Sequence, residues 1–171
     1  GVPIPTMISL ISETNRLNIL SIAFCVSVKR IDKIIDAIAE AALQHKYLKI
    51  NWTHIGDGPL LSSLKLRAAE KLNQVQVEWC FLGNKANAEV RRYFEENPVD
   101  IFINTSESEG VPVSIMEAMS YGVPVIAPNI GGIAELVSDE YGYMLSELPS
   151  VNDIATSIVV MSLRCKQAET R

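Results

Sequence analysis

Apolar runs and helical stripes alternate along the chain. Short runs rich in Ile, Leu, Val and Phe predict buried strands, and each is followed by a segment in which apolar residues recur every three or four positions. The predicted strands cover residues 17–28, 48–55, 76–82, 100–105, 124–127 and 141–145, and the predicted helices cover 31–42, 60–72, 86–97, 113–121, 129–137 and 151–165. Strands that alternate with helices predict an α/β fold, a doubly wound parallel sheet of the Rossmann-like type.

The chain is organised around residues 106–128, which contain Glu109 and Glu117 with seven residues between them. A buried strand precedes this stretch, and Pro112 suits the first turn of the helix that follows. In a parallel sheet, such a strand, loop and helix form a right-handed crossover, and the loop lies at the carboxyl edge of the sheet, where ligands bind. The two glutamates are therefore expected at that edge.

Helical side chains lean toward the amino end of the helix, so Glu117 is expected to point back toward Glu109. The free N–H groups of Gly110, Val111 and Val113 lie at the positive end of the helix dipole, where an anion can bind. A carboxylate beside that anion can accept hydrogen bonds from sugar hydroxyls. Acids near a helix start often only stabilise the dipole, by up to about 1 kcal/mol. On this largely apolar helix, however, an unpaired charge is costly, which favours a function.

Composition limits the possible classes of protein. With 171 residues, 48% of them hydrophobic, the chain suffices for one well-packed domain. The net charge of −5, without a basic stripe, argues against a nucleic-acid partner. Three scattered cysteines in apolar contexts favour neither a disulfide framework nor a zinc site, so a reducing cytoplasm is the expected location. The longest apolar run is about half the ~20 residues that span a bilayer.

Two segments, SEGVPVSIMEA and YGVPVIAPNIGGIAELV, carry a recurring motif: Glu, seven residues, Glu, then a Gly-x-Pro-Val strand and a Gly-Gly-x-x-Glu turn. In this motif the chain closely resembles the donor-nucleotide half of the retaining glycosyltransferases of family 4, which have the GT-B fold. The segments LNILSIAFCVSVKRID, NWTHIGDGPL, WCFLG and VDIFINTS match in the same order, so the resemblance covers nearly the whole chain.

The resemblance implies a domain organisation and a set of roles. Residues 1–16 are expected to lead in from an interdomain linker, residues 17–171 to form the single C-terminal donor domain, and the acceptor-binding N-terminal domain to be missing. The catalytic residues would be Glu109, which orients the transferred sugar, and Lys29, which holds the departing phosphate without a metal ion. The substrate-binding residues would be Glu117, for the ribose hydroxyls, with Gly110, Val111, Val113, Arg30, Gly58, Gly83, Asn84, Gly131 and Gly132.

Several of these positions have structural alternatives. Lys29 and Arg30 could be an ordinary solvated helix start, and a structural turn is favoured for Gly58. Gly131 and Gly132 fit a sugar contact and a tight turn with positive φ equally well. The chain also departs from the family motif, with Phe24 in place of an arginine that holds the donor diphosphate and Pro112 in place of a glycine.

The implied reaction moves a sugar from a nucleoside diphosphate to a hydroxyl acceptor, with retention at the anomeric carbon, in surface polysaccharide or glycolipid synthesis. The fragment alone is expected to be inactive, and membrane contact, if any, to be peripheral and through the missing domain. Phe24 and Pro112 leave open a catalytically inactive nucleotide-sugar-binding module. A nucleotide-sugar epimerase of GT-B fold is a further alternative, which product analysis would distinguish. The sequence indicates neither the nucleobase, the sugar nor the acceptor.

Overall fold

The computed structural model describes residues 16–110, 112–138 and 140–169. The lead-in predicted for residues 1–16 lies outside these ranges, except for Arg16. This residue begins the first strand and pairs with Lys49, one residue before the predicted start of that strand.

Six parallel strands form one sheet in the order β3-β2-β1-β4-β5-β6. They are β1 (Arg16–Ile22), β2 (Lys49–Ile55), β3 (Glu78–Phe81), β4 (Ile101–Ile103), β5 (Val125–Pro128) and β6 (Gly142–Leu145). The described residues also form five α-helices: α1 (Ile31–Gln44), α2 (Leu61–Leu72), α3 (Asn87–Glu96), α4 (Val113–Ser120) and α5 (Val151–Glu169). Three 3₁₀ turns complete the described elements: Ser27–Lys29, Asn73–Val75 and Gly131–Ile133.

The helices cover both faces of the sheet, as a parallel sheet requires. Helix α1 packs against α2 and α5, and together they bury one core that includes Trp52 and Ile35. The second core lies under α3 and α4, where the rings of Phe94 and Tyr121 stack with centroids 5.0 Å apart. The predicted doubly wound α/β class is therefore confirmed.

The strand order reverses between β1 and β4. The chain builds outward from β1 through β2 to β3, and then returns to place β4 on the other side of β1. Ligands of open α/β sheets bind outside the carboxyl ends of the strands at such a switch point. The loops after β1 and β4 therefore form the natural position for a site.

Two predicted elements are much shorter in the structure. Strand β1 ends at Ile22 rather than at residue 28, because the backbone beyond it binds the last residue of β2 and the loop that follows: Ala23 N donates to Ile55 O at 3.1 Å, and Cys25 N donates to Asp57 O at 2.7 Å. The helix predicted over residues 129–137 contracts to the 3₁₀ turn Gly131–Ile133, followed by turns.

His54 is fully buried at the end of β2. Its Nε2 lies 3.1 Å from Ala23 O, which can only accept, so Nε2 carries the proton. Its Nδ1 then accepts from Ser21 Oγ at 2.8 Å, and Ser21 Oγ accepts from Trp52 Nε1 at 2.9 Å. This buried series of hydrogen bonds fixes the neutral form of the ring and holds the start of the loop after β1.

Acid should destabilise the protein through His54. Burial lowers the pKa of His54 from 6.5 to about 4, against a smaller opposing effect of the Ala23 hydrogen bond. The neutral ring therefore contributes stability that is present above pH 6.5 and is lost as pH falls toward 4. Since one pKa unit equals about 1.4 kcal/mol, the loss should reach about 3 kcal/mol. Denaturant unfolding between pH 7 and 4 measures it, and His54→Gln should flatten this part of the profile, whereas the exposed His45→Gln should not.

Candidate functional site

A cleft of about 250 Å³ opens at the carboxyl edge of the sheet, on the side of α3 and α4. Its walls come from the loops after β1, β2 and β3 and from the first turns of α4. The lining polar and exposed apolar side chains are Phe24, Asp57, Asn84, Lys85, Asn87, Val113, Ser114 and Glu117. The predicted site residues Glu117, Val113 and Asn84 thus share one cleft.

Glu117 is the buried charge of this cleft. Its side chain belongs to a residue only 9% exposed, and within the part of the chain that the structure describes its carboxylate accepts no hydrogen bond. Burial raises the pKa of Glu117, and the charge of Arg91 opposes that rise only in part. A desolvated acceptor facing a cleft gains from ligand hydroxyls that donate to it.

Glu109 has the opposite environment. Its Oε1 accepts from Lys29 Nζ at 2.8 Å, Asn104 Nδ2 at 3.1 Å and Ser106 Oγ at 2.6 Å. Burial raises the pKa of Glu109, but these hydrogen bonds and the lysine charge lower it more, so the carboxyl is held below its usual range. The two predicted catalytic residues are therefore in direct contact, at the switch point between β1 and β4.

The structure does not bring Arg30 to the cleft. Its guanidinium binds Asp32 and Glu107, and it lines a separate groove of about 450 Å³ on the side of α1 and α2. The change of face occurs because α1 begins at Ile31, directly after the loop. Arg30 thus cannot take the place of the family arginine at Phe24, whose ring is 58% exposed in the cleft.

Three of the glycines that were predicted to bind substrate lie where two loops pack closely together. A Cβ on Gly58 would lie 2.8 Å from Cys25 O, and one on Gly131 would lie 2.2 Å from Glu109 O. A Cβ on Gly132 would lie 3.3 Å from Gly110 O. Of the alternatives open for these positions, the contacts favour the structural one. Gly83, by contrast, has φ +71 and open space around it.

Gly131→Ala should destabilise the chain by about 2 kcal/mol or more, because the new methyl group meets the Glu109 carbonyl and φ is +49. The matched control is Gly110→Ala, where a Cβ has open space and φ is not in the left-handed region. Urea unfolding of both variants measures the difference. Equal stability of the two variants would contradict the contact.

The start of α4 provides the anion-binding geometry only in part. Pro112 caps the helix rather than occupying its first position, and its carbonyl accepts from Ile115 N and Met116 N. The helix begins at Val113, and among the described residues only the first two N–H groups of its first turn, those of Val113 and Ser114, have no intrahelical acceptor. Gly110 is exposed, and Val111 lies outside the described residues.

Several site residues were missed in the sequence. Asn104 and Ser106 anchor Glu109, and Asp57, Lys85 and Ser114 line the cleft. Asn104 and Ser106 could have been found from the sequence as polar residues directly after β4, because the carboxyl ends of strands in a parallel sheet meet at the site. Lys85 lies after β3, away from the motif, and Ser114 lies within the motif on α4, but neither residue carries a comparable local signal.

The described ranges contain no group of three or more His, Cys, Asp or Glu side chains placed to hold a metal ion. None of their helices is long and apolar enough to cross a membrane. The three cysteines, Cys25, Cys80 and Cys165, are free thiols.

Known structures share this architecture. The apo form of the lipopolysaccharide outer core galactosyltransferase WaaB superposes with a TM-score of 0.80 at 19% identity, covering 99% of this chain and 46% of that one. A glycosyltransferase of lipopolysaccharide biosynthesis, WaaG, gives a TM-score of 0.73 at 16% identity, covering 91% of this chain and 41% of that one. The fold therefore matches the Rossmann-like domains of these GT-B glycosyltransferases.

Sequence comparison then gives the family. Residues 8–161 match the family described as "Glycosyl transferases group 1", and the chain belongs to it. It is 32% identical over 162 residues to the amylovoran biosynthesis glycosyltransferase AmsK of Erwinia amylovora, covering 90% of this chain and 37% of that protein. An uncharacterized glycosyltransferase of Methanocaldococcus jannaschii is 32% identical over 131 residues, covering 77% of this chain and 34% of that protein. The chain therefore spans about a third of the length of these relatives.

Proposed function

We propose that this chain is the nucleotide-sugar-binding domain of a retaining glycosyltransferase of family 4. The observation that carries the proposal is Glu117, a largely buried residue whose carboxylate lines a cleft at the switch point and accepts no hydrogen bond among the described residues. A carboxylate in that position can accept from two vicinal hydroxyls, as a ribose offers. The loop after β3, with Gly83 and Asn84, then lies at the nucleobase end of the cleft.

The phosphate end of the donor is assigned to Lys29 and the first-turn amides of α4. Both place positive charge where a leaving nucleoside diphosphate gains negative charge, which stabilises the transition state. Lys29 Nζ is already bound to Glu109, so the donor has to share the lysine with that carboxylate. Glu109 would in turn face the transferred sugar. The proposed mechanism uses no metal ion, so a chelator should leave transfer unchanged.

The product class follows from the relatives. AmsK is named for amylovoran biosynthesis, and a relative from Escherichia coli, 29% identical, is named as a UDP-Gal:alpha-D-GlcNAc-diphosphoundecaprenol alpha-1,3-galactosyltransferase. We therefore propose hexosyl transfer to a hydroxyl acceptor in cytoplasmic synthesis of a surface polysaccharide or glycolipid. The acceptor would bind to a preceding domain of the full-length protein. The chain alone should transfer at a negligible rate, because a one-walled cleft neither excludes water nor orients an acceptor.

Calorimetric titration of the chain tests the donor site. UDP, GDP, ADP, the corresponding nucleosides and common nucleotide sugars are titrated separately. One nucleoside diphosphate should bind tightly and displace its own sugar conjugate from the same site. Failure of a folded chain and of the full-length protein to bind any of them would contradict the proposal.

A binding module without catalysis is the second candidate, and Phe24 favours it. An exposed ring at this position of the cleft supplies no charge for a departing phosphate. Turnover by the full-length protein, with product analysis, separates the candidates: an elongated acceptor indicates a transferase, and an altered free or nucleotide-linked sugar indicates an epimerase. Nucleotide binding without any product would indicate the binding module without catalysis.

A further inference from the structure

Arg30 has an unusual backbone conformation next to the proposed site. It follows the 3₁₀ turn Ser27–Lys29, precedes α1, and lies in the left-handed region with φ +48 and ψ +41. Residues other than glycine, asparagine and aspartate seldom adopt this conformation, and they keep it only where the surrounding contacts hold them there. The contacts of Arg30 therefore indicate what the conformation achieves.

The Arg30 guanidinium joins two separate parts of the chain. Its Nε and Nη2 donate to the two carboxylate oxygens of Asp32, at 3.1 and 3.0 Å, which is a bidentate contact to the first turn of α1. Its Nη1 donates to Glu107, in the loop between β4 and α4. The guanidinium therefore links Asp32, at the start of α1, to Glu107, in the β4–α4 loop, at the switch point of the sheet.

Backbone contacts reinforce the same junction. Thr105 Oγ1 donates to the carbonyl oxygens of Lys29 and Arg30, at 3.1 and 2.9 Å, and Glu107 N donates to Val28 O at 2.8 Å. Glu109 follows in the same loop and binds Lys29 from there. The position of Glu109 relative to Lys29 thus depends on how firmly this loop is attached.

We propose that Arg30 is a positioning residue: it clamps the β4–α4 loop to the turn before α1 and thereby holds Glu109 on Lys29, and it does not itself contact the donor phosphate. The attachment of the loop stands on the contacts alone. Its consequence for the donor rests on the function proposed above.

A matched pair of variants tests the clamp. Arg30→Asn removes the guanidinium, while asparagine tolerates the left-handed backbone. Arg67→Asn removes the same charge from the same groove, but Arg67 binds Asp36 and so joins α2 to α1 rather than to the loop. Hydrogen exchange of residues 104–110, followed by mass spectrometry, should become at least about tenfold faster in the first variant and change less than about twofold in the second.

Glu107→Gln provides an independent route, because it weakens the clamp from the other side and leaves Arg30 in place. It should speed exchange in the same loop, and it carries the test if Arg30→Asn does not fold. Unchanged loop exchange in both variants, or equal exchange in the Arg67 control, would overturn the proposal.

The consequence for the donor is measured on the same variants with UDP, GDP and ADP and their nucleosides. For the nucleotide that the unmodified chain binds, loosening of the loop should lower the ratio of diphosphate to nucleoside affinity about tenfold in Arg30→Asn but not in Arg67→Asn, with nucleoside affinity itself unchanged. Faster loop exchange in a chain that binds none of these compounds would support the clamp and count against the donor function. An unchanged ratio despite faster exchange would overturn the link between the clamp and the phosphate end.

Discussion

Glu117→Gln should weaken nucleotide binding by about 30- to 150-fold, which corresponds to about 2 to 3 kcal/mol for hydrogen bonds to a charged acceptor. The amide retains the shape of the side chain but offers one acceptor oxygen in place of two. Calorimetry with the nucleoside diphosphate that binds best measures the change. Glu96→Gln, on an exposed part of α3, is the matched control and should leave affinity unchanged.

The same substitution should raise the free energy of unfolding at pH 7. The pKa of Glu117 is raised by burial, so ionisation favours the unfolded chain; the penalty is absent below pH 4.5, where both states are protonated, and complete above the folded-state pKa. The gain in Tm from Glu117→Gln should therefore vanish in acid. As the pH is lowered, the unmodified chain should also lose nucleotide affinity, and this loss should begin at a higher pH than it would with a glutamate of ordinary pKa. A loss of both affinity and stability at pH 7 would contradict the assigned role.

Lys29→Met should lower the rate of sugar transfer by the full-length protein by about 10²- to 10³-fold, the range for removal of one preorganised charge-stabilising group. The methionine preserves most of the aliphatic length and removes the charge. Lys33→Met, one turn along in α1, is the control, because Lys33 Nζ binds Pro149 O away from the cleft. Initial rates at saturating donor measure the effect.

Removal of Lys29 also leaves Glu109 without its cation, so a double variant separates the two consequences. Lys29→Met with Glu109→Gln should recover any lost stability, because no unpaired carboxylate remains. It should not recover the rate, because the cation at the leaving phosphate is still missing and Glu109 no longer acts on the transferred sugar. Recovery of transfer in the double variant, or a single-variant loss below about fivefold, would show that Lys29 acts only as the partner of Glu109.

Glu109 and Glu117 show how differently two motif positions can be used. Glu109 is held by three donors and its pKa is lowered, whereas Glu117 accepts from none among the described residues and its pKa is raised. The paired carboxylate stays ionised and oriented before any ligand arrives. The unpaired one has free acceptor capacity and depends on the ligand for its hydrogen bonds. This contrast fits one acid that positions and one that binds.

The sequence by itself determined the α/β class, the order of the elements and the stretch that contains the two glutamates, because apolar periodicity and turn residues act over short segments. Only the tertiary structure decided which side chains meet. Lys29 reaches Glu109 across 80 positions, Arg30 turns to the opposite side of the sheet, and Gly131 packs on the Glu109 carbonyl. These contacts follow from strand order and from loops packed at the switch point, which no local pattern encodes.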